Sequence, residues 1–369
     1  MRLLLIASPD LWSTGHGPDH PLKPERLRRT YELLDEYGAL RAPNVQLAPP
    51  RPAQDAELSL FHTSDYLDAV RRLSARDPDV DAGAYGFGPG DNPIFPHMDE
   101  IERLKVGGAL VGVEALLRGD CDVAFHFAGG MHHAWRNQAS GFCVYNDPVI
   151  AIEGLRREGH RVAYVDVDVH HGDGVQFAFY DTDQVLTISL HQDGRTLFPG
   201  TGAVDEIGRG AGEGFSVNVP LPPYTGDEDY LWAFDQVVPP LLSRYKPDFL
   251  VTQLGVDTHA LDPLAQLQLT THGQSAVFQR LAKLAPSCWL ALGGGGYELD
   301  VVPRAWALAF SAMGGLALPD ELPPRYRARY GGERLHDTAV PRVDEIIAGR
   351  VRDRVEDVVN KVKALHGLQ

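Results

Sequence analysis

The sequence predicts an α/β fold, a mainly parallel central sheet flanked by helices, in one domain over residues 1–369. Three observations predict it. Strand-like runs recur along the chain, and helix-like segments fall between most of them, which is the pattern of an α/β sheet. Several runs are almost continuously apolar, as in strands covered on both faces. Glycine and ionisable residues gather just after the runs, where open α/β sheets bind their ligands.

The strand-like runs are 2–7 (RLLLIA), 122–127 (DVAFHF), 161–167 (RVAYVDV), 185–190 (VLTISL), 248–254 (DFLVTQL) and 288–293 (CWLALG). Among the helices, Pro24 stands where a first-turn proline belongs, ahead of ERLRRTYELLDEYG, and Gly38 closes that segment. Thr63 or Ser64 is placed to cap DYLDAVRRLS. Further helices are expected at 98–118, 148–158, 228–244, 272–284 and 303–313, with a charged amphipathic helix at 342–365. Three segments, 77–97, 191–227 and 255–271, read as loops too long to be mere connectors. No internal repeat or low-complexity linker divides the chain.

Hydrophobic residues make up 44% of the chain, enough for a large core. Lys and Arg total 34 against 50 Asp and Glu, a formal charge of −16. That disfavours nucleic acid or an anionic membrane as a partner; it suits a cationic substrate, and equally a well-solvated surface. Cys121, Cys143 and Cys288 are sparse, odd in number and lack CxxC spacing, which argues against disulfides or a thiolate zinc site and fits a reducing cytoplasm. The apolar run in MRLLLIASPD is too short for a signal peptide, and no stretch of membrane-spanning length occurs.

One stretch conflicts with its surroundings. In YVDVDVHHGDGVQ (164–176), Asp166, Asp168 and His170 fall at every second place of a run that otherwise reads as a buried strand. A divalent ion held by Asp168 and His170, with Asp257 from another strand end, would make their burial tolerable and leave coordination positions open for chemistry. A hydrogen-bonded pair at a solvated strand end is the plainer alternative, and Asp257 alone is equally a turn residue. His132 and His133, in GGMHHA, offer a base beside such an ion, with Asp166 and Asp173 available to orient them; an exposed loop pair is the alternative. Tyr297 follows Gly293–Gly296, a run that lets backbone approach a ligand and that lacks both P-loop and GxGxxG spacing. Its hydroxyl can donate to a developing oxyanion.

Taken in order, GGMHHA (129–134), GFCVYND (141–147), YVDVDVHHGDGVQ, TISLH (187–191), LFPGTG (197–202), SVNVPL (216–221), QLGVDTH (253–259) and GGGGY (293–297) resemble the zinc-dependent histone deacetylase family and its arginase-like fold, over at least residues 16–310. The segment YGFGPGDNPIFP (85–96) looks most like the bacterial acetoin-utilisation branch, close to class I. The resemblance implies zinc, or Fe²⁺, on Asp168, His170 and Asp257. It implies His133 as principal general base and acid with Asp173, His132 as an electrostatic partner with Asp166, and Tyr297 as oxyanion donor. It implies tunnel walls at Phe142 and Phe198, a carbonyl at Gly141 for the scissile N–H, and rim contacts at Asp91 and Leu264. Structural K⁺ or Na⁺ would lie near Asp166, Asp168, His170, Ser189 and Leu190, and near Phe179, Thr182, Val185 and Phe215, the last more often tyrosine in relatives. Arg26 matches an arginine near the product exit; a solvated helix arginine is the alternative.

The expected reaction is metal-dependent hydrolysis of acetyl-lysine in a protein or peptide, first among them a bacterial acyl-CoA synthetase. An acetylpolyamine amidohydrolase is the second reading, for which the −16 charge is apt. A fold that has lost catalysis is the third, and the completeness of the constellation argues against it.

Overall fold

The computed structural model describes all of residues 1–369. Eight strands build one sheet: β1 (Leu3–Ile6), β2 (Val45–Ala48), β3 (Val123–His126), β4 (Val162–Asp166), β5 (Val185–Gln192), β6 (Ser216–Leu221), β7 (Phe249–Gln253) and β8 (Trp289–Leu292). Their order is β2-β1-β3-β8-β7-β4-β5-β6, and every neighbouring pair is parallel. All C-terminal ends therefore open on the same side. At the centre, Asp166 of β4 lies in register with Ser189 of β5 and Gln253 of β7.

Alternation along the strands divides the core. Leu3, Leu5, Phe125, Val165 and Leu250 pack beneath α1 (Glu25–Glu36), α7 (Asp227–Tyr245), α8 (Thr271–Leu284), α9 (Val302–Gly314) and α11 (Glu345–His366). Leu4, Ile6, Ala124, Tyr164 and Val251 face the other layer, α3 (Ser64–Ser74), α4 (Met98–Leu117) and α5 (Asp147–Arg157). The interior of α4 lies close on the sheet because Gly112 is small: a Cβ there would come within 2.8 Å of the Leu290 side chain. Every strand except edge strand β2 is wholly buried, as a sheet covered on both faces requires.

The six expected strands and all the expected helices are present. Helix α7 continues through Pro239 and Pro240, which are half-buried, while Tyr230, Phe234, Val237, Val238 and Leu241 are buried. Thr63 takes the N-cap position of α3 without a side-chain capping bond, and Pro24 is the N-cap of α1 rather than its first residue.

Four corrections arise. The segment 191–227 is not one loop: β5 extends to Gln192 and β6 occupies Ser216–Leu221. Pro220 weakens the strand signal there, and the structure resolves the conflict by placing β6 at the sheet edge, covered by α11. The other edge strand, β2, was also unexpected; it is short and half-exposed. Short helices α2 (Asp55–Leu58), α6 (Asp173–Ala178) and α10 (Pro324–Tyr330) are too brief for periodicity to signal. Finally, β4 ends at Asp166, so Asp168 and His170 do not sit on a regular strand face.

Candidate metal centre and active site

The chain after β4 is shaped by its own carboxylates. The Asp168 amide donates to Asp166 Oδ1 (3.1 Å), and the His170 amide donates to Asp168 Oδ1 (3.0 Å). These local bonds turn Asp168 and His170 toward the end of β7. There the Val169 amide donates to Asp257 Oδ1 (2.9 Å). His170 Nδ1 lies 3.1 Å from both Asp168 Oδ1 and Asp257 Oδ2. One ligand atom from each of Asp168, His170 and Asp257 falls within 4.8 Å of the others, and all three side chains are buried.

This donor set fits a divalent cation. Two carboxylates meet at a buried point beside the His170 imidazole; burial opposes its charging, but hydrogen bonds to Asp168 and Asp257 raise it to about 10, and His132 lies 4.0 Å from Asp168. Burial pushes Asp257 up to about 6, with the Asp168 charge adding to it. Such a cluster calls for a compensating charge at its centre. The backbone leaves space around it: a Cβ on Gly255 would reach 2.1 Å from Asp168 Oδ2, and one on Gly295 would reach 2.0 Å from Asp257 Oδ2.

Neighbouring groups fix the orientation of the set. Gln253 Nε2 donates to Asp168 Oδ2 (2.6 Å), as does the Gly295 amide (2.8 Å), while the Gly255 amide donates to Gln253 Oε1 (2.7 Å).

Both histidines of the GGMHHA turn are buried beside this cluster, which excludes an exposed loop pair. His132 Nδ1 donates to Asp166 Oδ2 (2.8 Å) and His133 Nδ1 donates to Asp173 Oδ1 (2.7 Å). Asp166 Oδ2 also accepts from the Tyr164 hydroxyl (2.6 Å). Burial opposes the charge on His132, but Asp166 and Asp168 outweigh it and raise the imidazole to about 9. Burial and then the charge on His132 lower His133 to about 4. The turn itself is held by Asp147, which accepts from the Gly130 and Met131 amides, and by Asn146, whose Nδ2 donates to the His132 and Ala134 carbonyls.

Around these groups stand the walls. Phe198 meets the His133 ring edge-on at 5.1 Å, and Phe142 meets the Tyr297 ring edge-on at 5.7 Å. Gly141 abuts His133 so closely that a Cβ would lie 2.5 Å from the ring. Tyr297 is placed by Asp262, whose Oδ2 accepts its amide proton (2.8 Å) while Oδ1 accepts that of Leu264 (3.0 Å). Arg26 is buried rather than solvated: Nη1 donates to the carbonyls of Gly294 (2.6 Å) and Gly296 (3.2 Å). Asp91 is exposed and Leu264 half-buried, beside Phe142 in one depression of about 470 Å³.

A protein-family model described as the histone deacetylase domain matches residues 20–313. The chain belongs to the histone deacetylase family. Within it, the chain is 38% identical over 338 residues to the acetoin utilization protein AcuC of Bacillus subtilis, covering 89% of this chain and 86% of that protein. It is 36% identical to histone deacetylase RPD3 of Saccharomyces cerevisiae, over 90% of this chain and 76% of that one. A solved HDAC homolog from Aquifex aeolicus superimposes with a TM-score of 0.88 at 32% identity, covering 98% of this chain and all of its own. The family and its acetoin-utilisation branch, expected from motifs, are thus established, as is the deacetylase-like fold.

The structure gathers Asp168, His170, Asp257, His132, His133, Asp166, Asp173, Gly141, Phe142, Phe198 and Tyr297 into one region. Of the residues assigned to a first monovalent ion, Ser189 and Leu190 follow on β5, with Ser189 Oγ sharing a bond with His191 Nδ1 (2.8 Å). Phe179, Thr182, Val185 and Phe215 gather separately, around the turn from α6 into β5. His171, unexplained by its spacing, is held by Thr201 and Gln176. Four contributors were missed. Gln253, Asn146 and Asp147 stand inside motifs already singled out, but nothing local marks Asp262, whose partners lie 35 and 2 residues away.

Proposed function

We propose that this family member is a protein lysine deacetylase of a single catalytic domain. It would hydrolyse the acetyl amide of acetyl-lysine to lysine and acetate, with zinc or Fe²⁺ held by Asp168, His170 and Asp257. The observation that carries the reading is the meeting of that buried carboxylate–imidazole–carboxylate cluster with two His–Asp pairs of opposite charge tendency. When bound, a divalent ion supplies Lewis-acid polarisation of a carbonyl and acidifies water.

The chain's own residues do the rest. His133 donates from Nδ1 to Asp173, so Nε2 keeps a lone pair, and its lowered pKa leaves it neutral near pH 7, able to take a proton from the water that attacks the acetyl carbonyl. The same imidazole then returns that proton to the leaving amine. His132, whose pKa is raised, contributes positive charge rather than proton transfer. Tyr297 donates a hydrogen bond from its hydroxyl to the oxyanion of the tetrahedral intermediate. Phe142 and Phe198 grip the aliphatic stem, the Gly141 carbonyl accepts the scissile N–H, and Asp91 and Leu264 engage the substrate at the rim. K⁺ or Na⁺ near the two sets around β5 would stiffen the scaffold. Unpaired Cys121, Cys143 and Cys288 support a reducing cytoplasm as the setting, and no helix is long and apolar enough to cross a membrane. The preferred substrate is an acetylated protein such as an acyl-CoA synthetase.

Metal analysis combined with kinetics on acetyl-lysine peptides and on acetylspermidine tests the reading. Stoichiometric metal and a higher kcat/KM on the peptides are expected. Preference for acetylspermidine would transfer the assignment to polyamines, and metal binding without turnover of either would leave only a scaffold.

A further inference from the structure

The loop before α1 carries two histidines, His16 and His20, that the reaction does not use. Both are buried, and their rings stack with centroids 4.5 Å apart. Their bonds define their protons. The Leu22 amide donates to His20 Nδ1 (3.0 Å), so that nitrogen holds a lone pair, and Nε2 donates to the Asp91 carbonyl (3.2 Å). His16 Nε2 donates to the Phe142 carbonyl (3.1 Å), since a carbonyl can only accept. Asn92 completes the arrangement: its Oδ1 accepts from the Phe142 amide (2.9 Å), and its Nδ2 donates to the Gly86 carbonyl (3.1 Å).

Phe142 is therefore bound at its amide, at its carbonyl and, through an edge-on contact with His20 at 4.5 Å, at its ring. It needs this. Its φ of +71° lies in the left-handed region, unusual for a residue with a bulky side chain, and such conformations persist only where the surroundings over-determine them. The same two histidines tie Asp91, at the rim, to Phe142, at the wall.

We propose that His16, His20 and Asn92 are positioning residues that clasp Phe142 and Asp91 and so hold the mouth of the substrate tunnel at its working width. This rests on the reading of Phe142 as tunnel wall. A clasp of this kind acts on substrate binding rather than on the proton transfers, because none of its members touches the His133 or metal-ligand side chains through a hydrogen bond.

The test is steady-state kinetics on an acetyl-lysine peptide with metal-replete enzyme, using His16→Phe, Asn92→Ala and Phe142→Ala, singly and combined. His16→Phe and Asn92→Ala should each raise KM about tenfold with kcat within about threefold of the parent, the signature of lost ground-state binding. His16→Gln and Asn92→Asp, which keep a donor and an acceptor, should restore KM to within about twofold of the parent. In the Phe142→Ala background, His16→Phe should add almost nothing, because the group it holds is gone. Unchanged KM in His16→Phe and Asn92→Ala, or a fall in kcat alone, overturns the clasp, as does full additivity with Phe142→Ala. If Phe142→Ala itself leaves KM unchanged, the wall reading fails instead. Should His16→Phe not fold, His16→Asn, too short to reach the carbonyl, makes the same comparison.

Discussion

His132 and His133 are adjacent in the chain, and each donates from Nδ1 to a buried aspartate at nearly the same distance, 2.8 and 2.7 Å. Yet the first is raised to about 9 and the second lowered to about 4. Composition of the pair does not explain this. His132 Nε2 also lies 4.0 Å from Asp168, so it answers to two buried carboxylates. His133 answers to one, and it faces the charge of His132, the His170 ring and the apolar edge of Phe198. Two chemically identical dyads acquire opposite charge tendencies because their surroundings differ.

The strongest way to break that contrast is to delete each imidazole. His133→Ala should reduce kcat by about 10²–10⁴-fold, the usual contribution of a positioned acid–base group, with metal content unchanged by elemental analysis. His132→Ala should cost at least tenfold less; equal losses would mean that the two act interchangeably. Tyr297→Phe bears on the same contrast from the other side of the site. If the hydroxyl and not the charge on His132 carries the oxyanion, kcat should fall about 10²–10³-fold, and an unchanged kcat would hand that role to His132.

A gentler probe is Asp173→Asn, which leaves His133 in place but weakens its orienting acceptor. Partners that orient an active-site imidazole contribute roughly 10–100-fold, and a loss of that size in kcat/KM is expected. Below these effects lies the shared support. Asn146→Ala removes the side chain that caps α5 and holds the His132 and Ala134 carbonyls. It should lower unfolding stability by about 2 kcal/mol, read by urea denaturation.

The smallest effect expected concerns pH. Burial raises Asp147 to about 6 from an ordinary 3.8. Its folded pKa exceeds its unfolded one, so its contribution is full below pH 3.8 and lost as the pH rises through about 6. In Asp147→Asn the slope of unfolding free energy against pH across that window should flatten.

Much of this was readable in the residues. The runs LLLI, VAFH, VAYVD, FLVTQ and WLAL announce buried parallel strands because burial on both faces removes the polar alternation that a half-exposed strand needs. Asp168, His170, Asp257, His132 and His133 stand out because ionisable groups in such company are costly unless they serve a charge. What escaped was governed by distant partners. Strand β6 contains a proline that only an edge position covered by α11 accommodates. Asp262 is an ordinary loop aspartate until the fold brings the Tyr297 amide to it. For Arg26 the sequence left a site arginine and a solvated one both open, and its burial follows only once the glycine run passes within 2.6 Å.

The sequence by itself determined the layering of the sheet and the family, and it marked the residues proposed for the metal and dyad set, because continuous apolar runs and motif spacing are local and survive without coordinates. Only the tertiary structure decided which histidine is pushed toward its charged form, which arginine is buried and how Phe142 is held in its left-handed conformation. Those depend on desolvation and on charges contributed from far along the chain, and both quantities exist only once the chain has closed around them.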